Sequence, residues 1–428
     1  MVRMPRNFLN RVLIAAVALS LAAVTAGISP AASAAGRPPA RGAGVAAAHV
    51  SPRSAVPWRR VGPGWVLAQY WPGRISFIHK AIAAPVTLYL ISPTGHRYQL
   101  HRWAATKDPL YVLDWSGDKT RALLYSATSG RLEQLILATG RVSHISLPAP
   151  VNPFMIGYSR PAGHFLLAVR QASGSTQLVR LSLTGRLIKV LATGAHDGTA
   201  VSSSSGRTIA VAGARGLQLV STNGGVIRRL PVPRTGSSGC LPARWWNSGT
   251  ILATCVARGT HRGRLWLVPA SGARPTPLTP QRGPHSPDPG DLDAWATPGV
   301  RYLQGLGSNG RVLIFRPRAN GAVQAVKPPG SAYENWILAA RGSRLLVNEI
   351  SPCRGTDSLR WFSPATGRSQ TLIKAPRGRQ GVVGAFPYGP PLAEFVAVVG
   401  CSAGHPDLDV RSPGATVIAP GLPLSAAG

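Results

Sequence analysis

Residues able to do chemistry are few in this 428-residue chain, and they gather in short stretches. Residues 281–293, QRGPHSPDPGDLD, bring His285, Asp288, Asp291 and Asp293 close together in sequence. Oxygen ligands at such short spacing suit a hard divalent cation such as calcium. The spacing is not that of an EF-hand loop, however, and the prolines suit a plain connection, so no resident metal or cofactor is expected. Residues 351–358, SPCRGTDS, offer Arg354 and Asp357, and residues 401–407, CSAGHPD, offer His405. His196-Asp197, within GAHDGT, reads as one more turn. These groups are candidates for a binding face, and none is assigned a catalytic role.

The remaining chemistry is excluded by motif and by composition. There is no G-x-S-x-G elbow, no H-E-x-x-H helix, no phosphate-binding Walker loop and no paired C-x-x-C. With only 14 acidic residues, paired carboxylates for acid–base catalysis have few sources. The 47 basic residues give a net charge of +33, carried by 41 Arg and 6 Lys. A charge of that size favours anionic partners. The arginines are scattered, whereas a nucleic-acid footprint is clustered on one face or helix. The expected partner is a protein or an anionic cell-envelope polymer, with no specific nucleic acid.

The elements that must position these loops are short strands. Apolar runs ending at a turn glycine recur as LYLISPTG (Gly95), LILATG (Gly140), VRLSLTG (Gly185), QLVSTNGG (Gly225), LWLVPASG (Gly272), LIFRPRANG (Gly321), LRWFSPATG (Gly367) and DVRSPG (Gly414). A second register runs ahead of the first, with an aromatic or apolar residue, a small polar turn and then an apolar strand. It is seen at Trp115 before RALLY, Tyr158 before HFLLAV, Trp246 before TILATC and Trp295 before VRYL. Two hairpins per repeat of about 46 residues make four strands, the period of a propeller blade. A row of Trp and Tyr at repeat spacing is core, because one blade cannot cover its own two apolar faces.

These residues resemble the TolB-type and WD40-like propellers, whose blades carry a W-S-P-D-G turn and then an L-W-V-V-P-like strand. The fragment RLWLVPASGARPTPLTP, residues 264–280, carries the second half of that pattern and WSGD, residues 115–118, part of the first. The resemblance covers nearly all of residues 56–420. It implies an all-β propeller of four-stranded blades, seven or eight in number, with eight hairpins counted. On that fold the loops between strands B and C and between D and the next A share one face. The expected role is a non-catalytic binding or scaffold module at the cell surface, acting as a monomer. The alternative is a propeller enzyme, of hydrolase, lyase or lactonase type, using the central channel.

The ends of the chain set its compartment. Arg3, Arg6 and Arg11, the apolar core Val12–Ile28 and the small residues Ala32-Ser33-Ala34 read as a secretory signal over residues 1–34. Residues 35–55, rich in Pro, Ala and Gly, read as a flexible leader, residues 56–420 as one propeller and 421–428 as a tail. No later stretch is long enough to span a bilayer. Export favours disulfides. Cys240 and Cys255 flank Asn247-Ser248 symmetrically, so a hairpin turning there sets them opposite each other. Cys353 and Cys401 each follow strand B in consecutive repeats. Peptide mapping under non-reducing conditions is expected to recover Cys240–Cys255 and Cys353–Cys401, and alkylated thiols or crossed pairs would refute the assignment.

Overall fold

Runs of Val, Leu, Ile and Ala broken by Gly- and Ser-bearing turns give strand after strand, since branched side chains pack on a pleated surface that the turns cannot continue. The computed structural model describes residues 50–407 apart from 72–83, 107–109, 126–130, 148–151, 160–162, 171–175, 204, 214–215, 234–238, 257–262, 280–290, 307–311, 319–322, 330–333, 351–357, 376–381, 388–393, 396–399 and 403–404. Among the described residues the only helical turns are two of three residues each, and no helix is long and apolar enough to cross a membrane.

In chain order the strands are β1 (Val50–Pro52), then β2 (Val66–Tyr70), β3 (Ala84–Ile91) and β4 (Arg97–Thr106). The second blade holds β5 (Tyr111–Trp115), β6 (Arg121–Tyr125), β7 (Leu132–Ile136) and β8 (Val142–Ile145). The third and fourth blades hold β9 (Asn152–Tyr158), β10 (Phe165–Arg170), β11 (Thr176–Leu181), β12 (Leu187–Ser202), β13 (Thr208–Gly213), β14 (Gly216–Ser221) and β15 (Val226–Arg229). The fifth holds β16 (Gly239–Asn247), β17 (Thr250–Val256), β18 (Gly263–Pro269) and β19 (Thr276–Pro277). The sixth holds β20 (Asp291–Thr297), β21 (Val300–Leu306), β22 (Val312–Pro317) and β23 (Val323–Val326). The seventh holds β24 (Glu334–Arg341), β25 (Arg344–Ile350), β26 (Ser358–Phe362) and β27 (Ser369–Lys374).

The ring closes by sharing a blade between the two ends of the chain. β28 (Val382–Pro387) pairs antiparallel with β2 and becomes the inner strand of the first blade, whose outer strands are β3 and β4. Seven blades result, and the eighth turn expected at Gly414 lies outside the described residues. β29 (Glu394–Phe395) extends the same sheet, while β30 (Gly400–Ser402) and β31 (His405–Asp407) form a separate hairpin. Each seam between blades is filled by apolar side chains from both neighbours. Leu67 and Leu90 meet Trp115 and Leu124 at one seam, and Leu113 and Leu123 meet Tyr158 and Phe165 at the next. Trp336 and Trp361 of the seventh blade meet Val66 and Ile91 of the first, so the last seam is packed like the others.

Two local expectations change in the structure. Val50–Pro52, assigned to the flexible leader, runs parallel to β4 as β1. The open edge of β4 supplies the backbone partners, and Ser51 Oγ lies 2.9 Å from His96 Nε2. His196-Asp197, expected in a turn, lies inside β12, which pairs with β11 through Ala195 and with β13 from Ala195 to Ser202. One strand therefore serves as the outer strand of the third blade and the inner strand of the fourth.

The turn glycines are present for their backbone. Gly185 has φ +92° and Gly367 φ +68°, a region that costs an L-residue about 1–2 kcal/mol. A Cβ at Gly185 would also sit 2.0 Å from the Ser146 carbonyl oxygen, whereas one at Gly367 meets nothing within 4 Å. Gly367→Ala should lower stability by about 1–2 kcal/mol. Gly185→Ala should cost clearly more, because backbone of the neighbouring blade must move. Urea unfolding of the two variants checks the order, and equal losses would contradict it.

Candidate functional site

Every inner strand starts at the end of the ring that carries the B–C and D–A loops, so residues early in those strands line the base of that face. Inner strands bulge there, with two residues opposing one at Leu113 in β5, Ala243 in β16, Leu292 in β20 and Leu338 in β24. A bulge re-aims side chains and leaves backbone groups without ladder partners. Amide side chains from the preceding blade fill two of these gaps. Gln69 accepts from the Val112 amide at 2.9 Å and donates to the Leu110 carbonyl. Gln304 accepts from the Ile337 amide at 2.7 Å. Asp114 Oδ2 likewise accepts from the Tyr158 amide at 2.8 Å.

Among the described residues, three of the four buried charged side chains, Arg244, Asp293 and Glu349, lie in the fifth to seventh blades, and the fourth is Asp114. Arg244 of β16 donates from Nη1 to Asp293 Oδ2 of β20 at 2.8 Å, and its guanidinium lies 3.6 Å from the Trp295 ring centroid. Asp293 and Trp295 are two apart on one strand and so point to the same side. Asp293 is 1% exposed, and its other oxygen accepts from the Ala294 amide at 2.7 Å. On β25, Glu349 Oε2 accepts from Ser358 Oγ at 2.5 Å and pairs with Arg360 Nη2 at 2.6 Å. Burial raises the pKa of Asp293 against the pull of Arg244, and that of Glu349 against Ser358 and Arg360. The folded ring holds these protons more tightly than the unfolded chain does. Their contribution to stability is therefore full below the ordinary carboxylate value and is lost as pH rises through the raised one.

Some of this polar capacity is unspent. Among the described residues, Glu349 Oε1, both amide atoms of Asn348 and Gln304 Nε2 are buried with no hydrogen-bond partner. Asn348 occupies the position in β25 that Gln304 occupies in β21, counted from the hairpin turn. It is one methylene shorter and makes no equivalent bond. All of these atoms lie at the loop end of the sixth and seventh blades.

The residues expected from sequence are distributed differently from that cluster. Asp293 is corrected from a loop ligand to a strand residue inside a seam, because its carboxylate is consumed by Arg244. Asp291 opens β20, and His405 lies in the β30–β31 hairpin beyond the ring strands. His285, Asp288, Arg354 and Asp357 lie outside the described residues. Among the described residues no group of three or more His, Cys, Asp or Glu could hold a metal ion. Cys240 and Cys255 stand opposite each other on β16 and β17 and form a disulfide, with Cα atoms 4.1 Å apart. Cys353 lies outside the described residues, while Cys401 is in β30. Arg244 and Glu349 were not anticipated, and the one signal available was a charged residue inside an otherwise apolar strand.

No family model and no curated protein matches the sequence. Among solved structures the chain is similar to a prolyl endopeptidase, at 14% identity over 72% of this chain and 50% of that one, with TM-score 0.50. It is also similar to a Mycobacterium tuberculosis puromycin-hydrolyzing peptidase, at 14% identity over 80% of this chain and 60% of that one, with TM-score 0.45. TolB from Acinetobacter baumannii is a further neighbour, at 16% identity over 61% of this chain and 65% of that one, with TM-score 0.37. The chain spans about half the length of the endopeptidase structure. The described strands define the class by fold, a seven-bladed β-propeller, and the likeness to the endopeptidase at 14% identity agrees with that fold alone.

Removing one member of a buried ion pair leaves an uncompensated charge at a cost of about 3–5 kcal/mol. Asp293→Ala should fall in that range, and the double variant Arg244→Met with Asp293→Leu should be much closer to the parent. A double-mutant cycle by denaturant unfolding checks this, and simple additivity would show that the pair is not coupled.

Proposed function

We propose that this propeller is a non-catalytic binding or scaffold module, exported to the cell surface, that holds a protein or an anionic envelope polymer at the loop end of the ring. The observation that carries the reading is the group of buried polar atoms without partners, on Gln304, Asn348 and Glu349, at the loop end of neighbouring blades. Buried polar atoms left unpaired cost stability and call for an explanation. A ligand group entering from that end is one that fits their placement. Three further facts support it. The Cys240–Cys255 disulfide ties two strands at the same end. Two of the inner-strand acids, Asp114 and Asp293, are already engaged by backbone amides, and Asp293 also by Arg244, which favours a structural use of these two over acid–base work. The excess of cations favours an anionic partner.

Retention on purified cell envelopes tests the proposal. Retention is expected at low salt and should fall steeply towards physiological salt, where exposed charges are screened within about 8–10 Å. Arg354→Ala should weaken it without lowering the unfolding midpoint. Salt-insensitive retention would remove the charge argument. No retention at any salt would point to a free secreted protein with a different ligand.

A further inference from the structure

We infer that the outer rim of the third and fourth blades is a docking edge for an anionic lipid bilayer. The proposal goes beyond the loop-end reading and uses different residues, so either can fail alone. Its basis is a cluster of aliphatic side chains left in solvent. Of the seven large hydrophobic residues exposed among the described residues, five are Leu187, Ile188, Val190, Val226 and Ile227, each 39–56% exposed. Three lie on the outer half of β12 and two on β15.

The turn before β15 touches β12 at the rim. The Gly225 amide donates to the Leu191 carbonyl at 3.3 Å, and Lys189 Nζ donates to the Asn223 carbonyl at 2.6 Å. The turn that leads into Val226 is thereby set against the strand that carries Leu187 and Ile188. Five exposed aliphatics of two blades thus lie along the same stretch of rim, and apolar side chains gathered on a surface mark an interaction site.

The patch is bordered by Arg186, Lys189, Arg228 and Arg229, all exposed. Across residues 176–233 the sole acid is Asp197, on the part of β12 that pairs with the fourth blade. Aliphatic side chains within a ring of cations match the boundary between acyl chains and anionic headgroups. Ile188 and Ile227 are the extra residues at bulges in β12 and β15, where two residues oppose one on the neighbouring strand. A bulged outer edge discourages addition of a strand from a protein partner, whereas its aliphatic side chains can enter a headgroup boundary. Pairing with a second copy is opposed by cations on both edges.

Vesicle co-sedimentation of the purified protein tests the proposal, with vesicles of phosphatidylcholine alone and of phosphatidylcholine with phosphatidylglycerol. Variants are compared with the parent in the same chain, so any contribution from the apolar N-terminal stretch cancels. The parent should bind the anionic vesicles at least about tenfold more tightly than Arg228→Gln/Arg229→Gln does, given the attraction of each cation near a charged surface. Leu187→Ser/Ile227→Ser should lose binding to a similar degree with an unchanged unfolding midpoint, because both side chains are exposed. The charge variant keeps the test decisive should the serine variant fold poorly. Equal binding of parent and both variants would overturn the proposal. So would parent binding that ignores lipid charge, or lipid-free dimers that the same substitutions disperse.

Discussion

A four-stranded blade has two apolar faces and no means of covering either, and the rest of the structure depends on that constraint. Burial of apolar surface contributes about 25 cal/mol per Å², so each bare face is a strong demand for a neighbour. The demand is met at every seam, where Leu, Val, Trp and Phe side chains of adjacent blades interlock. A row of such blades has two unmet faces until it closes. Closure here uses β28 and β2, distant in sequence, to build one blade from both ends of the chain. Folding of the ring is thus tied to the meeting of residues that lie more than 300 positions apart, as Val66 and Pro387 do.

Polar side chains in the seams are subordinate to this packing and also sharpen it. Bonds that cross from blade to blade include those of Gln69 with Val112, Asp114 with Tyr158, Arg244 with Asp293 and Gln304 with Ile337, pairs separated by 43, 44, 49 and 33 residues. The first three intervals are about one repeat. Each bond holds a blade in register with the next at the bulge of the inner strand, where the sheet ladder cannot supply the partner. Where the device is cut short, at Asn348, hydrogen-bonding capacity is left over at the loop end. Among the described residues the indole nitrogens of Trp71, Trp295 and Trp361 and Arg180 Nε are also buried without a partner, but the unpaired amide and carboxylate atoms all lie on Gln304, Asn348 and Glu349.

Function is separated from this framework by geometry. Packing and seam bonds leave the loop end and the rim as the surfaces on which sequence can vary without opening the ring. The loop end joins a disulfide to unspent polar atoms, and the rim of the third and fourth blades joins aliphatic side chains to cations. One suits a specific polar ligand and the other a charged interface. On the two proposals made above, a ring offering both would hold something at a surface, since loops set on a stiff base lose little freedom when they bind.

Much of the architecture was legible in the sequence because it rests on local rules. Gly95, Gly140, Gly185, Gly225, Gly272 and Gly367 mark turns since each takes a positive φ that other residues resist, and all six do so in the structure. Period-2 apolar runs between them announce strands, and the symmetric placement of Cys240 and Cys255 about a hairpin turn announces their contact. What tertiary structure alone decided concerns the seams. Seven blades result because β28 is spent in completing the first. Asp293 reads as a loop ligand beside Asp291 and His285 until Arg244, a repeat away, is seen to claim it. The gathering of Leu187, Ile188, Val226 and Ile227 on one stretch of rim is likewise invisible along the chain, because the turn before β15 reaches β12 only when the third and fourth blades stand side by side. Backbone geometry is written within a few residues, whereas the partner of a side chain is chosen by which faces must be buried together.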